Sequence, residues 1–160
     1  MSLYAASVPV FQHYLGRLRG LVGRAHAAGL LEARLAPDMH PFHTQVAIAA
    51  QFALRAAFPL AGEPVPPFGD FPATSDGLRA RIDRAESLLA GLSPAQFDGA
   101  EARTVSGDAG ETTLTWPAAD FLHLHALPNF FFHLTTAYAV LRQHGVPLGK
   151  HDFDGQHRYG

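Results

Sequence analysis

The chain carries ten histidines and no cysteine. That composition removes disulfides, thiolate metal sites and cysteine nucleophiles. It leaves imidazole, which works near neutral pH as base, acid or metal ligand, as the group most suited to chemistry. The stretch that concentrates the question is "LHLHALPNFFFHLTTAYAVLRQHGVPLG", residues 122 to 149. On a helix of about 100° per residue with Asn129 at zero, His133 falls near +40°, His125 near −40° and Thr136 near −20°. Leu124, Leu127, Phe131 and Tyr138 take the opposite face. A polar band of His125, Asn129, His133 and Thr136 thus lies inside a helix that is apolar nearly all round. Buried imidazole and amide groups need partners, so this band must face another polar group, a pocket or water.

Two readings of the band stay open: a satisfied hydrogen-bond cluster, or a ligand pocket. A metal site is poorly written here. His125 and His133 are separated by about 12 Å of helical rise, too far for two nitrogens to reach one zinc at about 2 Å each. Only a distortion at Pro128, which lacks an N–H, would bring them together. Asn129 and His133 have the i, i+4 spacing of a ligand pair, but an amide oxygen is a poor zinc ligand. There is no HExxH, no serine in a nucleophile elbow and no glycine-rich phosphate loop. His40 and His43 stand at the entry to the second helix with Gln45 just beyond. His13, His26, His144, His151 and His157 are expected to face solvent, and His123 lies away from the polar band.

The elements that would position these groups follow from periodicity. Tyr4, Val8, Phe11, Leu15, Leu18, Val22 and Ala25 step by four and three along a first helix, with Gly29 just past its end. Pro41 opens a second helix that runs to Pro59, rich in alanine and therefore open to close packing. "PLAGEPVPPFGDFPAT" is an irregular crossover. Leu78, Ile82, Ala85, Leu89 and Leu92 mark a third helix starting after Thr74 or Ser75. "SPAQF" reads as a capping box, and "RTVSGDAGETTLTW" as a short hairpin around "GDAG". Pro117 opens a fourth helix, and "HGVP" closes it with Gly145 as a left-handed cap. The tail, 145–160, is polar and glycine-rich and is expected to run extended. The spacing predicts one all-α domain over 1–160: a four-helix bundle with a long crossover between helices two and three and a small β-hairpin before helix four.

Composition bounds the partners. Charged residues make up 16% of the chain, against about 25% in typical soluble domains. Less charge leaves apolar surface to be covered, so a homodimer built on helix faces is expected. A net charge of −2 gives no footprint for nucleic acid. "MSLYAASVPVF" lacks the basic region of a signal peptide, and no apolar run approaches a membrane span. A cytoplasmic protein that meets neither nucleic acid nor membrane is expected.

Helix one, connector, helix two, crossover, helix three, "LSPAQF", hairpin and a fourth helix ending "LRQHGVP" together resemble the DinB-like (YfiT-like) superfamily of bacterial four-helix bundles. "SLYAASVPVF", "RLAPDMHP", "ALPNFFFHLTTAYAVLR" and "GVPLGKHDF" resemble a subfamily of uncharacterised bacterial proteins within it. The resemblance implies a site built from one histidine on helix two and an HxxxH pair on helix four, many members being read as metal-dependent thiol transferases or hydrolases. His133, twelve residues before Gly145, matches the second histidine of that pair. Asn129 takes the place of the first, and Gln45 and Gln51 stand at the candidate positions of helix two. The resemblance therefore implies a pocket of Asn129, His133, Gln45 and Gln51, with His125 and Thr136 beside it, and a degenerate metal site. No cofactor is expected. A divalent metal would need His133 together with His125 or His43. His133 is the candidate general base of an enzyme. The alternative is a non-catalytic small-ligand-binding or regulatory homodimer.

Overall fold

The computed structural model describes residues 1–158. Its elements are α1 (Val8–Ala27), α2 (Phe42–Leu60), α3 (Ser75–Ala90), β1 (Thr104–Ala109), β2 (Thr112–Pro117), α4 (Ala118–Asp120), α5 (Leu127–Gln143) and α6 (Lys150–Asp154). Short 3₁₀ turns at Pro94–Phe97 and Ala100–Ala102 precede the hairpin, and a π-helical segment, Phe121–Ala126, joins α4 to α5.

The α1 stripe is buried as its spacing requires: Val8, Phe11, Leu15, Leu18, Val22 and Ala25 all face the core. Pro9 falls in the first turn, where its missing N–H costs nothing. Helix α2 is the central element and contacts α1, α3 and α5. Its buried alanines, among them Ala49, Ala50, Ala53 and Ala57, let those neighbours approach closely. Helix α3 packs on α1 and α2, and α5 packs on α2 and α1. Phe11 of α1 meets Phe130 of α5 edge to face at 5.0 Å. Arg19 of α1 ties the outer surface to α3 through Asp83 and Glu86, both at 2.5 Å.

Local chemistry sets the boundaries. The Thr74 hydroxyl accepts the Gly77 N–H at 3.1 Å and caps α3. Gly77 is needed there for a second reason: a Cβ would come within 2.0 Å of the Pro72 carbonyl oxygen. Ser93 and Gln96 form the capping box, with Ser93 N–H donating to Gln96 Oε1 at 2.8 Å. Arg103 anchors the chain before the hairpin by donating to the Leu60 carbonyl at 2.5 Å and to that of Gln96 at 3.0 Å. The antiparallel hairpin pairs Ala109 with Thr112. Its two-residue turn starts at Gly110 with φ +66, as a tight hairpin turn demands.

Two expectations are corrected. The tail does not run extended throughout: Lys150–Asp154 forms α6, which packs on α1. The Gly149 N–H donates to the Asp152 carboxylate at 2.8 Å to start it. Phe153 then packs on Tyr14 and Tyr138. The backbone N–H groups of Gln156 and His157, with the His157 ring, hold the Asp154 carboxyl down at about 2. Tyr159 and Gly160, the end of that tail, lie outside the described residues.

The fourth helix is not a plain α-helix either. Pro128 has no N–H to continue the ladder, and the preceding turn, Phe121–Ala126, is π-helical. Leu124 was placed on an apolar face and is 72% exposed. Its exposure follows from the extra residue that a π turn inserts, which rotates everything before Leu127 relative to a straight helix.

Candidate functional site

Helices α2 and α5 run antiparallel where they touch, since Gln45 meets His133 and Phe52 meets His125. Gln45 is 1% exposed. Its Nε2 donates to the His40 carbonyl at 3.2 Å. A carbonyl only accepts, so this contact fixes the amide orientation and turns Oε1 toward His133. Oε1 lies 2.7 Å from His133 Nδ1. The proton of the neutral ring is therefore on Nδ1, and Nε2 carries the lone pair. Phe52 stacks on the same imidazole at 6.0 Å and 21°, and Phe132 meets it edge on at 5.1 Å. Burial first, and the charge of nearby His40 second, push the His133 ring down to about 4. At neutral pH it is uncharged and rigidly held.

The other members of the expected polar band go elsewhere. Asn129 Nδ2 donates to the His125 carbonyl at 2.7 Å, serving the backbone just before Pro128. Thr136 is buried and donates to the Phe132 carbonyl at 2.7 Å, a bond within its own helix. Gln51 is exposed. It lies six residues from Gln45, about 240° around the helix, and so faces away from it. His43 contacts Glu32 at 3.3 Å and Thr44 at 3.2 Å. His125 leaves the band because the π turn rotates it. It stacks on Trp116 of β2 at 4.7 Å and 25° and stands 5.9 Å from Phe52.

His125 opens onto a cleft of about 200 Å³ between α2, the hairpin and the π segment. Phe52, Pro59 and Phe121 give it apolar walls, and Arg55, Ser106 and Asp108 bring polar groups to it. Arg55 lies 5.5 Å from the Phe52 ring centroid and 3.8 Å from the Asp108 carboxylate. Burial, and after it the Arg55 charge, lower the pKa of His125. Arg55, Ser106, Asp108 and Trp116 were not among the residues singled out by sequence. One signal for Arg55 existed: it is the only lysine, arginine or acidic residue in the whole of α2.

Could this region hold the divalent metal implied by the DinB-like resemblance? The donors are one imidazole nitrogen on His133, an amide engaged at both ends in Gln45, and an Asn129 amide committed to the backbone. Among the described residues no group of three or more histidine, cysteine or acidic side chains is placed to share one ion. Tight zinc asks for three or four nitrogen, sulfur or carboxylate donors. These residues do not fit it.

Comparison with known proteins bears on the same frame. No curated protein matches the chain. A solved structure, the crystal structure of a DinB family member protein from Shewanella denitrificans, matches with a TM-score of 0.83 and 33% identity over 99% of this chain and 94% of that one. The mostly helical fold with its small antiparallel hairpin is thus DinB-like. Residues 3–154 match the family described as a domain of unknown function, DUF1993. The chain belongs to that uncharacterised, DinB-like family.

Proposed function

We propose that this protein binds a small molecule in the cleft between α2, the hairpin and the π-helical segment, and that His133, which packs on Phe52 outside the cleft, is a structural residue rather than a catalytic base. The observation that carries this is the division of labour between the two histidines. His133 spends its proton on an amide, not on a carboxylate that would strengthen it as a base. With a pKa of about 4 it is too weak for general-base work near pH 7, where the best catalytic pKa lies close to the working pH. His125 faces a cleft with apolar walls and convergent polar groups, the usual character of a ligand site. Protein-observed NMR with a small fragment library tests the proposal. Resonances of Phe52, Val65, Ser106, Thr113 and His125 are expected to move together. If no fragment perturbs them, the cleft is not a binding site.

A second observation favours self-association. Leu124, at 72%, and Phe132, at 55%, are exposed, and Phe132 lines an apolar groove with Leu35, Pro128, Phe131, Thr135 and Ala139. From Phe121 to Leu141 there is no lysine, arginine or acidic residue. A two-fold pairing of α5 with its copy would therefore bury this stripe without repulsion or an unpaired charge. We infer a homodimer on this face, with α1, α2, α3 and α5 as the four helices of each bundle. Light scattering at micromolar concentration is expected to give a dimer, and Phe132→Glu a monomer. A wild-type monomer would remove the idea.

A further inference from the structure

The cleft has a charge arrangement that defines its ligand more closely, on the footing of the binding role just given. Among the described residues the Arg55 guanidinium has no hydrogen-bond partner. Its contacts are the Phe52 ring and Asp108, whose carboxylate at 3.8 Å is beyond hydrogen-bond range. Yet the Arg55 side chain is only 34% exposed, and a guanidinium has five donors to satisfy. Asp108 comes from the hairpin, is 69% exposed, and is held there by an acceptor bond from Thr113 at 3.0 Å. The chain thus presents a carboxylate toward Arg55 on a solvent-exposed arm without closing the fork-to-fork contact that Arg and carboxylate prefer.

The rest of the cleft is suited to a flat apolar body. Phe52 and Phe121 supply ring surfaces, with Pro59 and Val65 beside them. His125 is pinned against Trp116 at 4.7 Å and so keeps its position. A dry cavity of about 150 Å³ holds a benzene ring. The cleft, at about 200 Å³, has room for a ring and one attached carboxylate. We propose that the cleft takes a small monoanionic aromatic carboxylate, its ring against Phe52 and Phe121 and its carboxylate on Arg55, in the place that Asp108 approaches without filling. Asp108 acts as a built-in competitor: it balances the charge of Arg55 in the empty site and yields when the ligand enters.

Benzoate and its neutral isostere benzamide serve as probes, followed by NMR titration of the full chain. Benzoate is expected to shift the cleft resonances at millimolar concentration and to bind about tenfold tighter than benzamide, as a charge-assisted contact to arginine implies. Arg55→Met, which keeps the stem over Phe52, is expected to abolish that preference. Asp108→Asn is expected to tighten benzoate several-fold and leave benzamide unchanged. If Arg55→Met fails to fold, Asp108→Asn, on the exposed hairpin, carries the test alone, and unchanged benzoate affinity there overturns the proposal. Equal binding of the two probes, with no effect of Arg55→Met, overturns the anionic class while leaving the cleft a binding site. Silence of the cleft resonances to both probes overturns the binding role itself.

Discussion

Acid should destabilise this protein through His133, and the size of the effect can be worked out. In the unfolded chain the imidazole titrates near 6.5; in the fold it is pushed down to about 4. The sign follows from proton counting. Between these values the unfolded chain binds a proton that the folded chain refuses, so stability falls as pH falls. Above 6.5 both states are neutral and the group contributes no pH dependence. Below about 4 both states are protonated and the loss is complete. The gap corresponds to a ceiling of about 3 kcal/mol. The ring keeps partial contact with solvent, which screens the penalty, so about 1–2 kcal/mol is the expected loss.

Other groups titrate too, which makes a difference measurement necessary. His133→Asn keeps an N–H donor near Gln45 Oε1 and cannot be protonated. Urea unfolding of wild type and variant at a series of pH values from 7 to 4 gives the comparison. The wild type is expected to lose about 1–2 kcal/mol more than the variant over this range. Asp154 does not mimic the effect: its carboxyl, held near 2, contributes stability that is lost mainly at lower pH. Parallel pH profiles for the two proteins would refute the claim that the fold holds His133 neutral.

Gln45→Leu removes the acceptor of the His133 N–H and the donor to the His40 carbonyl, and is expected to cost about 2–3 kcal/mol by urea unfolding. A loss under about 0.5 kcal/mol would mean the amide is not held as described. Asn129→Ala frees the His125 carbonyl beside the proline gap; about 1 kcal/mol should be lost, with faster amide exchange confined to the turns on either side of Pro128. Protein purified without a histidine tag is expected to carry no stoichiometric zinc or nickel. Elemental analysis showing one metal per chain, absent in His133→Ala, would contradict the donor argument.

Periodicity made most of the fold legible because each long helix buries one stripe. Val8 to Ala25 on α1 and Leu78 to Leu89 on α3 are buried as their spacing demands. The turn chemistry was equally readable: Gly29 and Gly145 adopt φ of +69 and +80 just past their helices. In the tail, glycine and polar content outweigh a short helical signal. "GKHDFDG" places Asp152 at the third helical position to cap the Gly149 N–H and ends on Gly155 at φ +73. A five-residue helix has no stripe of its own, and α6 exists because Phe153 finds Tyr14 and Tyr138.

The site was legible only up to the point where the helix stays regular. His133 faces Gln45 across an ordinary α-helical interface, where a 100° wheel describes the side on which His133 stands, while Gln45 and Gln51 are marked out only by the DinB-like resemblance. His125 lies eight residues before His133, on the far side of Pro128, where that wheel no longer applies. Sequence marks the proline but not how the chain answers it, and the answer decides the chemistry. A kink would have tilted His125 toward His133 and offered two imidazoles to one ion. The π turn instead rotates it onto Trp116, and the Asn129 amide bonds the His125 carbonyl. That backbone choice leaves the histidines apart, and the amide that stood in a ligand's place is engaged with the backbone. It also turns a titratable ring toward Arg55 and the cleft. His133 owes its neutrality to burial and to His40, whereas the turn of His125 toward the cleft follows from the π-helical segment that precedes Pro128.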